Sequence, residues 1–231
     1  MNATSPLHQP PTVTLFGLPR SVYTRIARLA LEEKGVSYAL QEVEIFGPSG
    51  VPPEHLARHP FGRIPVLGHG EHSLFETAAI CRYVDDAFPG PPLLPSEPLA
   101  RARVAQIVSL LDSYAYRPMV WGVFVQRVGI ALNGGKPDES LITASLRDAR
   151  VALAALNSLA TGSPFLAGSC VSLADLHAYP ILCYFSLAPE GRAAIAEHPV
   201  LSDWLRRLAC RPSVLRTLTQ YEPQAASGNA A

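Results

Sequence analysis

The stretch Phe61-Gly-Arg-Ile-Pro-Val-Leu67, continued by His69-Gly-Glu-His72 and Ser73-Leu-Phe-Glu-Thr-Ala-Ala-Ile-Cys-Arg-Tyr-Val84, decides the fold. Phe61 to Leu67 is an apolar strand carrying a proline. A proline has no N–H for a ladder, so it sits at a sheet edge or adopts a special peptide geometry. Residues 69–72 turn into Ser73–Phe75, which makes the two runs a hairpin. From Glu76 to Ala87 the spacing becomes helical, with Ile80, Tyr83 and Val84 on one side. Upstream, Thr12-Val-Thr-Leu-Phe16 alternates with period two and stops at Gly17-Leu-Pro19. Ser21 to Lys34 is an amphipathic helix with Ile26, Ala27, Leu29 and Ala30 inward and Arg25, Arg28, Glu32 and Lys34 outward. Ser21 can cap its start and Gly35 supplies the left-handed stop. Val36 to Val43 reads as a second strand, followed by the Gly/Pro-rich loop Phe46–Pro53 and a short helix over Glu54–Arg58. The order β-α-β-(α)-β-β-α predicts a right-handed βαβ unit with a hairpin added to its sheet.

Beyond Phe88 the texture changes. Phe88 to Pro98 is dense in proline and reads as a stiff linker. All that follows is helical in pattern: Leu99 to about Val128, Ser140 to Leu159, Ser172 to Leu187, and short helices near Arg192–Glu197 and Leu201–Leu208. Pro118 is expected to kink or divide the first of these. Strands confined to the first third predict two units, an α/β domain over 12–88 and an all-α domain over 99–222, joined by residues 89–98. Met1–Pro11 reads as a polar tail without the features of a signal peptide, and residues 222–231 as a second frayed end.

Bulk properties exclude several classes of function. The 19 Lys and Arg balance the 19 Asp and Glu, so no net field draws the chain to nucleic acid or anionic lipid. Apolar residues make up 48% of the chain, yet no run approaches the roughly 20 needed to cross a bilayer. Cys81, Cys170, Cys183 and Cys210 are scattered, with no CxxC pair or metal-ligand spacing, and read as small reduced hydrophobes in helices. Free thiols imply a cytoplasmic location. The histidines are also scattered and take no ligand role; His69 and His72, on one hairpin turn, are expected to face solvent. Ser172-Leu-Ala-Asp175 has capping-box spacing with Asp in place of Glu, which predicts the start of a buried helix rather than a catalytic pair.

Three stretches of the first unit could carry chemistry together. At Phe16-Gly-Leu-Pro-Arg-Ser21 a strand meets a helix N-terminus, where unpaired N–H groups favour an anion and Ser21 adds a hydroxyl, whether as donor or as ordinary cap. At Arg63-Ile64-Pro65 a cis peptide would turn the Ile64 backbone outward to pair with an extended ligand; an edge proline is the other reading. At Phe75-Glu76-Thr77 a hairpin ends and a helix begins, with Thr77 a candidate cap.

With these motifs in order, the chain resembles the cytosolic glutathione transferases. "FGRIPVL" and "LFETAAICRYV" match their thioredoxin-like N-terminal α/β domain, and "FLAGSCVSLADLHAYPIL" matches the signature of their all-α C-terminal domain. The resemblance implies that Ile64, before a cis Pro65, pairs with the cysteinyl part of glutathione, and that Glu76-Thr77 grips the γ-glutamyl end. Arg63 stands where many members carry Gln or another polar residue, within reach of the glutathione carboxylates. The His/Lys pair that some plant-type members use on the glycyl end has no clear match in Ile45–His55. Phe16 replaces the tyrosine of tyrosine-type members, and no cysteine precedes Cys81. Ser21 falls where serine-type members, similar to the phi and theta classes and to bacterial relatives, keep their serine, with Arg20, Tyr23 and Thr24 as substitutes.

The implied activity is conjugation of glutathione, a co-substrate, to small hydrophobic electrophiles in detoxification, without a metal. A free thiol with a pKa near 8.5 is only about 3% ionised at pH 7. One hydrogen bond to the charged form contributes about 1.5–3 kcal/mol, enough to lower that pKa by one to two. The second substrate is expected between the domains, against the aromatic cluster Tyr114, Tyr116, Met119, Trp121 and Phe124, with one or two of these facing it; Tyr114, Tyr116 and Trp121 are the pocket candidates. The family also implies a homodimer. The rival reading is a non-catalytic binding module on the same fold.

Overall fold

The computed structural model describes residues 13–160 and 162–222. The expected tail over Met1–Pro11, Thr12 at the domain edge and residues 223–231 lie outside them. Strand β1 (Val13–Gly17) is central. It pairs in parallel with β2 (Ala39–Glu42), Leu15 opposite Leu40, and antiparallel with β3 (Val66–His69), Leu15 opposite Leu67. Strand β4 (His72–Phe75) completes the hairpin, giving the order β2-β1-β3-β4. Helices α1 (Val22–Glu33) and α3 (Thr77–Ala87) pack on each other and bury Ile26, Leu29, Ile80 and Val84 with Leu15 and Leu67. Gly35 ends the first helix with φ +67°, as its sequence position requires. Between β2 and β3 lies the short helix α2 (Pro53–Arg58).

Two of the residues read as outward on α1 are buried. Arg25 is fully enclosed and forms a bidentate ion pair with Glu222 at 2.6 and 2.9 Å. Lys34 is buried on Asp85 and the Asp85 and Pro91 carbonyls. The reason is that α1 has two neighbours: the sheet and α3 cover one side, and α6 (Leu173–Leu187) covers another. The Glu222 pairing also shows that position 222, read as part of a frayed end, is anchored. The proline-rich segment is likewise pinned. Leu93 is fully buried, its N–H donates to Asp85 Oδ1 at 2.8 Å, and its carbonyl accepts from Leu173 N–H at 2.9 Å.

The helical half begins with α4 (Pro98–Leu110), which continues over Leu111–Ala115 and Arg117–Ile130 with wider i→i+5 bonding. Pro118 does not divide it. Tyr116 keeps helical dihedrals (φ −58°, ψ −51°) and its N–H reaches back to Leu111, so the wider turn absorbs a residue that has no N–H to give. Then come α5 (Glu139–Leu159), α6, α7 (Pro189–Ala196), α8 (Pro199–Ala209) and α9 (Pro212–Arg216). Helix α6 is buried from Leu173 to Phe185. Its start is built as the Ser172/Asp175 spacing predicts: Asp175 accepts from Ser172 N–H and Oγ–H, Leu166 N–H and Trp204 Nε1–H at 2.8–2.9 Å. Cys81 and Cys183 are buried as expected, but Cys170, in a loop, and Cys210, at the end of α8, are exposed. His69 does not face solvent freely: Nδ1 pairs with Tyr83 Oη at 2.7 Å and the ring stacks on Phe88.

Candidate active site

The turn from β1 into α1 is tight. A Cβ on Gly17 would lie 2.4 Å from Thr24 Oγ1, so only glycine lets the strand pass this close to the helix. Ser21 is the N-cap, with extended dihedrals (φ −75°, ψ 130°), and its Oγ accepts from Thr24 N–H at 3.4 Å. That bond uses a lone pair and leaves the hydroxyl hydrogen without an acceptor among the described residues. The turn is also held from the helical half, because Tyr184 on α6 donates its O–H to the Arg20 carbonyl at 2.7 Å.

Of the neighbours considered as substitutes for Ser21, Arg20 and Tyr23 are paired and Thr24 is enclosed. Arg20 is paired with Glu44 at 2.5 Å. Tyr23 donates to Asp112 Oδ1 at 3.1 Å; burial and then the Asp112 carboxylate push its phenol well above the usual range. Thr24 is fully buried beneath Gly17. Phe16 has no hydroxyl, and the Arg58 guanidinium lies 4.3 Å above its ring.

Opposite this turn, the Ile64–Pro65 peptide is cis. The Ile64 side chain packs inward with Leu18 and Val43, while its backbone N–H and C=O have no partner among the described residues. Arg63 is exposed, and its charge acts on Tyr23, Tyr116 and His59. Glu76 is the one non-glycine residue with positive φ (68°) among the described residues, a conformation that costs of order 1–3 kcal/mol. It occupies the N-cap position of α3 without a side-chain cap bond, so its carboxylate stays exposed. Thr77, expected as the cap, is instead the first helical residue and is buried.

The aromatic cluster divides. Tyr116 stacks on Tyr23 at 4.6 Å and accepts from Trp121 Nε1–H at 3.0 Å, and Trp121 lies 6.2 Å from Phe46 of the β2–α2 loop. These rings share the seam between the two halves. Met119 and Phe124 are core residues. Tyr114 is 70% exposed and lines a groove against Leu141 and Val151 of α5 that Trp121 also borders.

Sequence reading missed Asp112, His177 and Tyr184. Partial burial pushes the Asp112 carboxyl up to about 6; the Tyr23 hydrogen bond opposes the rise and the Glu76 carboxylate adds to it. His177 Nε2 lies 3.7 Å from Asp112 Oδ2, and burial holds its imidazole down to about 4. Asp112 could not be found by motif, because its partners lie on α1 and α6, far away in sequence.

Comparison with known proteins agrees with this geometry. The description "Glutathione S-transferase, N-terminal domain" matches residues 11–86, and "Glutathione S-transferase, C-terminal domain" matches residues 140–207. The chain belongs to the glutathione S-transferase family. A curated relative, glutathione S-transferase 4 of Zea mays, is 30% identical over 92% of this chain and 94% of its own length. The solved structure of glutathione transferase F7 from Populus trichocarpa superposes with a TM-score of 0.78 at 29% identity, over 89% of this chain and 97% of that one. A glutathione S-transferase-I bound with lactoylglutathione superposes at 0.77 with 27% identity, over 90% and 98%. The comparisons confirm the fold and favour the enzyme over a non-catalytic binding module on the same scaffold.

Proposed function

We propose that this glutathione S-transferase is serine-type and conjugates the glutathione thiolate to small hydrophobic electrophiles, with Ser21 as the donor that holds the sulfur as an anion. The observation that carries this is the hydroxyl hydrogen of Ser21, without an acceptor among the described residues at the N-terminus of α1, beside Arg20 and Tyr23, which are committed to other partners, and Thr24, which is buried. The hydroxyl, with the positive end of the helix, lowers the thiol pKa. The sulfur then attacks the electrophilic carbon, forming the C–S bond as the leaving group departs with its electron pair. The unpaired Ile64 backbone takes the cysteinyl part of glutathione, the Glu76–Thr77 corner takes its γ-glutamyl end, and Arg63 lies within reach of its carboxylates. Tyr116 and Trp121, with Phe46, face the electrophile across the seam, and Tyr114 borders the groove on the other side of Trp121.

The domains divide at residues 89–98, as 12–88 and 99–222. The setting is cytoplasmic detoxification; among the described residues no helix is long and apolar enough to cross a membrane. The working unit is a homodimer, for which the exposed Phe61 (72%) and the groove beside Tyr114 offer apolar surface to cover.

Ser21→Ala tests the central claim. The ultraviolet thiolate band of bound glutathione is titrated, and conjugation of chlorodinitrobenzene is measured near neutral pH. The bound thiol pKa rises by about one to two and turnover falls about tenfold or more. Retained titration and turnover refute the role of Ser21.

A further inference from the structure

Helix α2 reverses the usual hydrophobic pattern. Its Leu56 is 44% exposed, whereas His55 is fully enclosed and the capping His59 is almost so. The two histidines are four residues apart and therefore share one face of the helix. An imidazole is a poor choice for bulk burial, so a specific bond must explain it there.

For His55 that bond is visible. Nε2 lies 2.7 Å from the carbonyl oxygen of Arg63, and Nδ1 is buried without a hydrogen-bond partner. The carbonyl can only accept, so Nε2 carries the hydrogen of this bond. The Arg63 carbonyl belongs to the same planar unit as the Ile64 N–H, and in a trans peptide the two groups point in opposite directions. Holding the carbonyl against α2 therefore aims the Ile64 N–H away from α2. That N–H is the unpaired group that faces the ligand in the function proposed above. Next to it, His59 keeps the preceding turn in place: its carbonyl accepts from Gly62 N–H at 2.9 Å and its Nδ1 from Phe61 N–H at 3.3 Å.

We propose that His55 is a positioning residue for glutathione, which sets the direction of the Ile64 N–H through its bond to the Arg63 carbonyl. The proposal rests on the assignment of Ile64 and Glu76 to the glutathione site. His55 touches neither substrate. Its effect is confined to affinity for glutathione, because an unheld peptide must be ordered on binding.

The test compares His55→Gln, whose amide N–H reaches the place of Nε2, with His55→Asn, which reaches only the place of Nδ1, and with His55→Leu. Glutathione affinity is measured by titration calorimetry, and KM for each substrate and kcat with chlorodinitrobenzene. His55→Leu and His55→Asn weaken glutathione binding by about two- to tenfold, the span of one neutral hydrogen bond, and leave kcat and the electrophile KM nearly unchanged. His55→Gln recovers most of the affinity. Equal behaviour of the Gln and Asn variants overturns the proposal, even where the Leu variant does not fold. So does a loss spread over kcat and both KM values in step with lost folded protein. Glu76→Gln separates the two levels. If it too leaves glutathione affinity unchanged, the site assignment has failed; if it weakens binding while the His55 variants do not, only the role of His55 falls.

Discussion

Glu222→Ala should destabilise this protein far more than the loss of a surface ion pair. The Arg25 side chain is fully buried and that of Glu222 is 7% exposed. Glu222 receives both guanidinium bonds, at 2.6 and 2.9 Å, and also the Cys183 thiol at 3.3 Å and the Thr219 hydroxyl at 3.0 Å. Without it, Arg25 keeps a 3.9 Å contact to Cys183 Sγ and the Tyr179 ring at 5.2 Å but no countercharge, in a place water reaches poorly. Breaking one side of a buried pair costs about 3–5 kcal/mol. Glu222 lies near the end of the described chain, where water can follow the truncation, so the lower figure of about 3 kcal/mol applies. For a chain of this size that lowers Tm by about 6–12 °C. The assay is urea and thermal unfolding of the wild type, Glu222→Ala, and the double variant Arg25→Met/Glu222→Gln. Removing both charges removes the stranded cation, so the double variant recovers most of the loss. A single variant within about 0.5 kcal/mol of wild type refutes this reasoning. A double variant no better than the single one shows that packing, not the stranded charge, carries the effect.

Three further outcomes follow from the same coordinates. Gly17→Ala drives a methyl group into the buried Thr24 side chain and should cost about 1–3 kcal/mol and lower kcat/KM by displacing the Ser21 turn; adding Thr24→Ala makes room and restores both, which unfolding and steady-state assays read together. Asp175→Ala strands four buried donors and should cost about 4 kcal/mol or more, seen as loss of soluble protein or of the urea midpoint. His177 titrates at about 4 in the folded chain, below the ordinary value of about 6.5. Its contribution is therefore intact above about pH 6.5 and is lost as the pH falls towards 4, where the unfolded chain takes up a proton that the folded one refuses. The loss reaches about 3 kcal/mol, and His177→Leu flattens that part of the stability profile between about pH 7 and pH 4.5.

Elements of both halves were legible where each depends on neighbours in sequence. Gly35 stops α1, the 69–72 turn closes the hairpin, and Ser172 with Asp175 starts α6; a few adjacent residues carry each signal. Backbone features of the candidate site that are fixed locally were legible as well: Ser21 caps α1 and the Ile64–Pro65 peptide is cis, as the resemblance implied. Side chains whose partners come from distant elements were not. Tyr23 meets Asp112, Arg20 meets Tyr184 through its carbonyl, and His55 meets Arg63 across a turn that proline and glycine shape.

The misreading of Arg25 as solvent-facing bears on how the two halves make a single site. A helical wheel assigns the polar side of α1 to water, which is right for a helix that covers one sheet and nothing else. Helix α6 is buried on every side from Leu173 to Phe185, so it is enclosed by neighbours all round. One of those neighbours is α1, so part of the polar side of α1 had to be buried, and a charge enclosed there needs a countercharge close by. Glu222 supplies it for Arg25, while Lys34, at the end of α1, is buried instead on Asp85 of α3 and the Pro91 carbonyl. The same contact brings Tyr184 to the Arg20 carbonyl and Asp112 to Tyr23. The turn that presents Ser21 is thus held by the helical half, through Tyr184 on the Arg20 carbonyl and Asp112 on Tyr23.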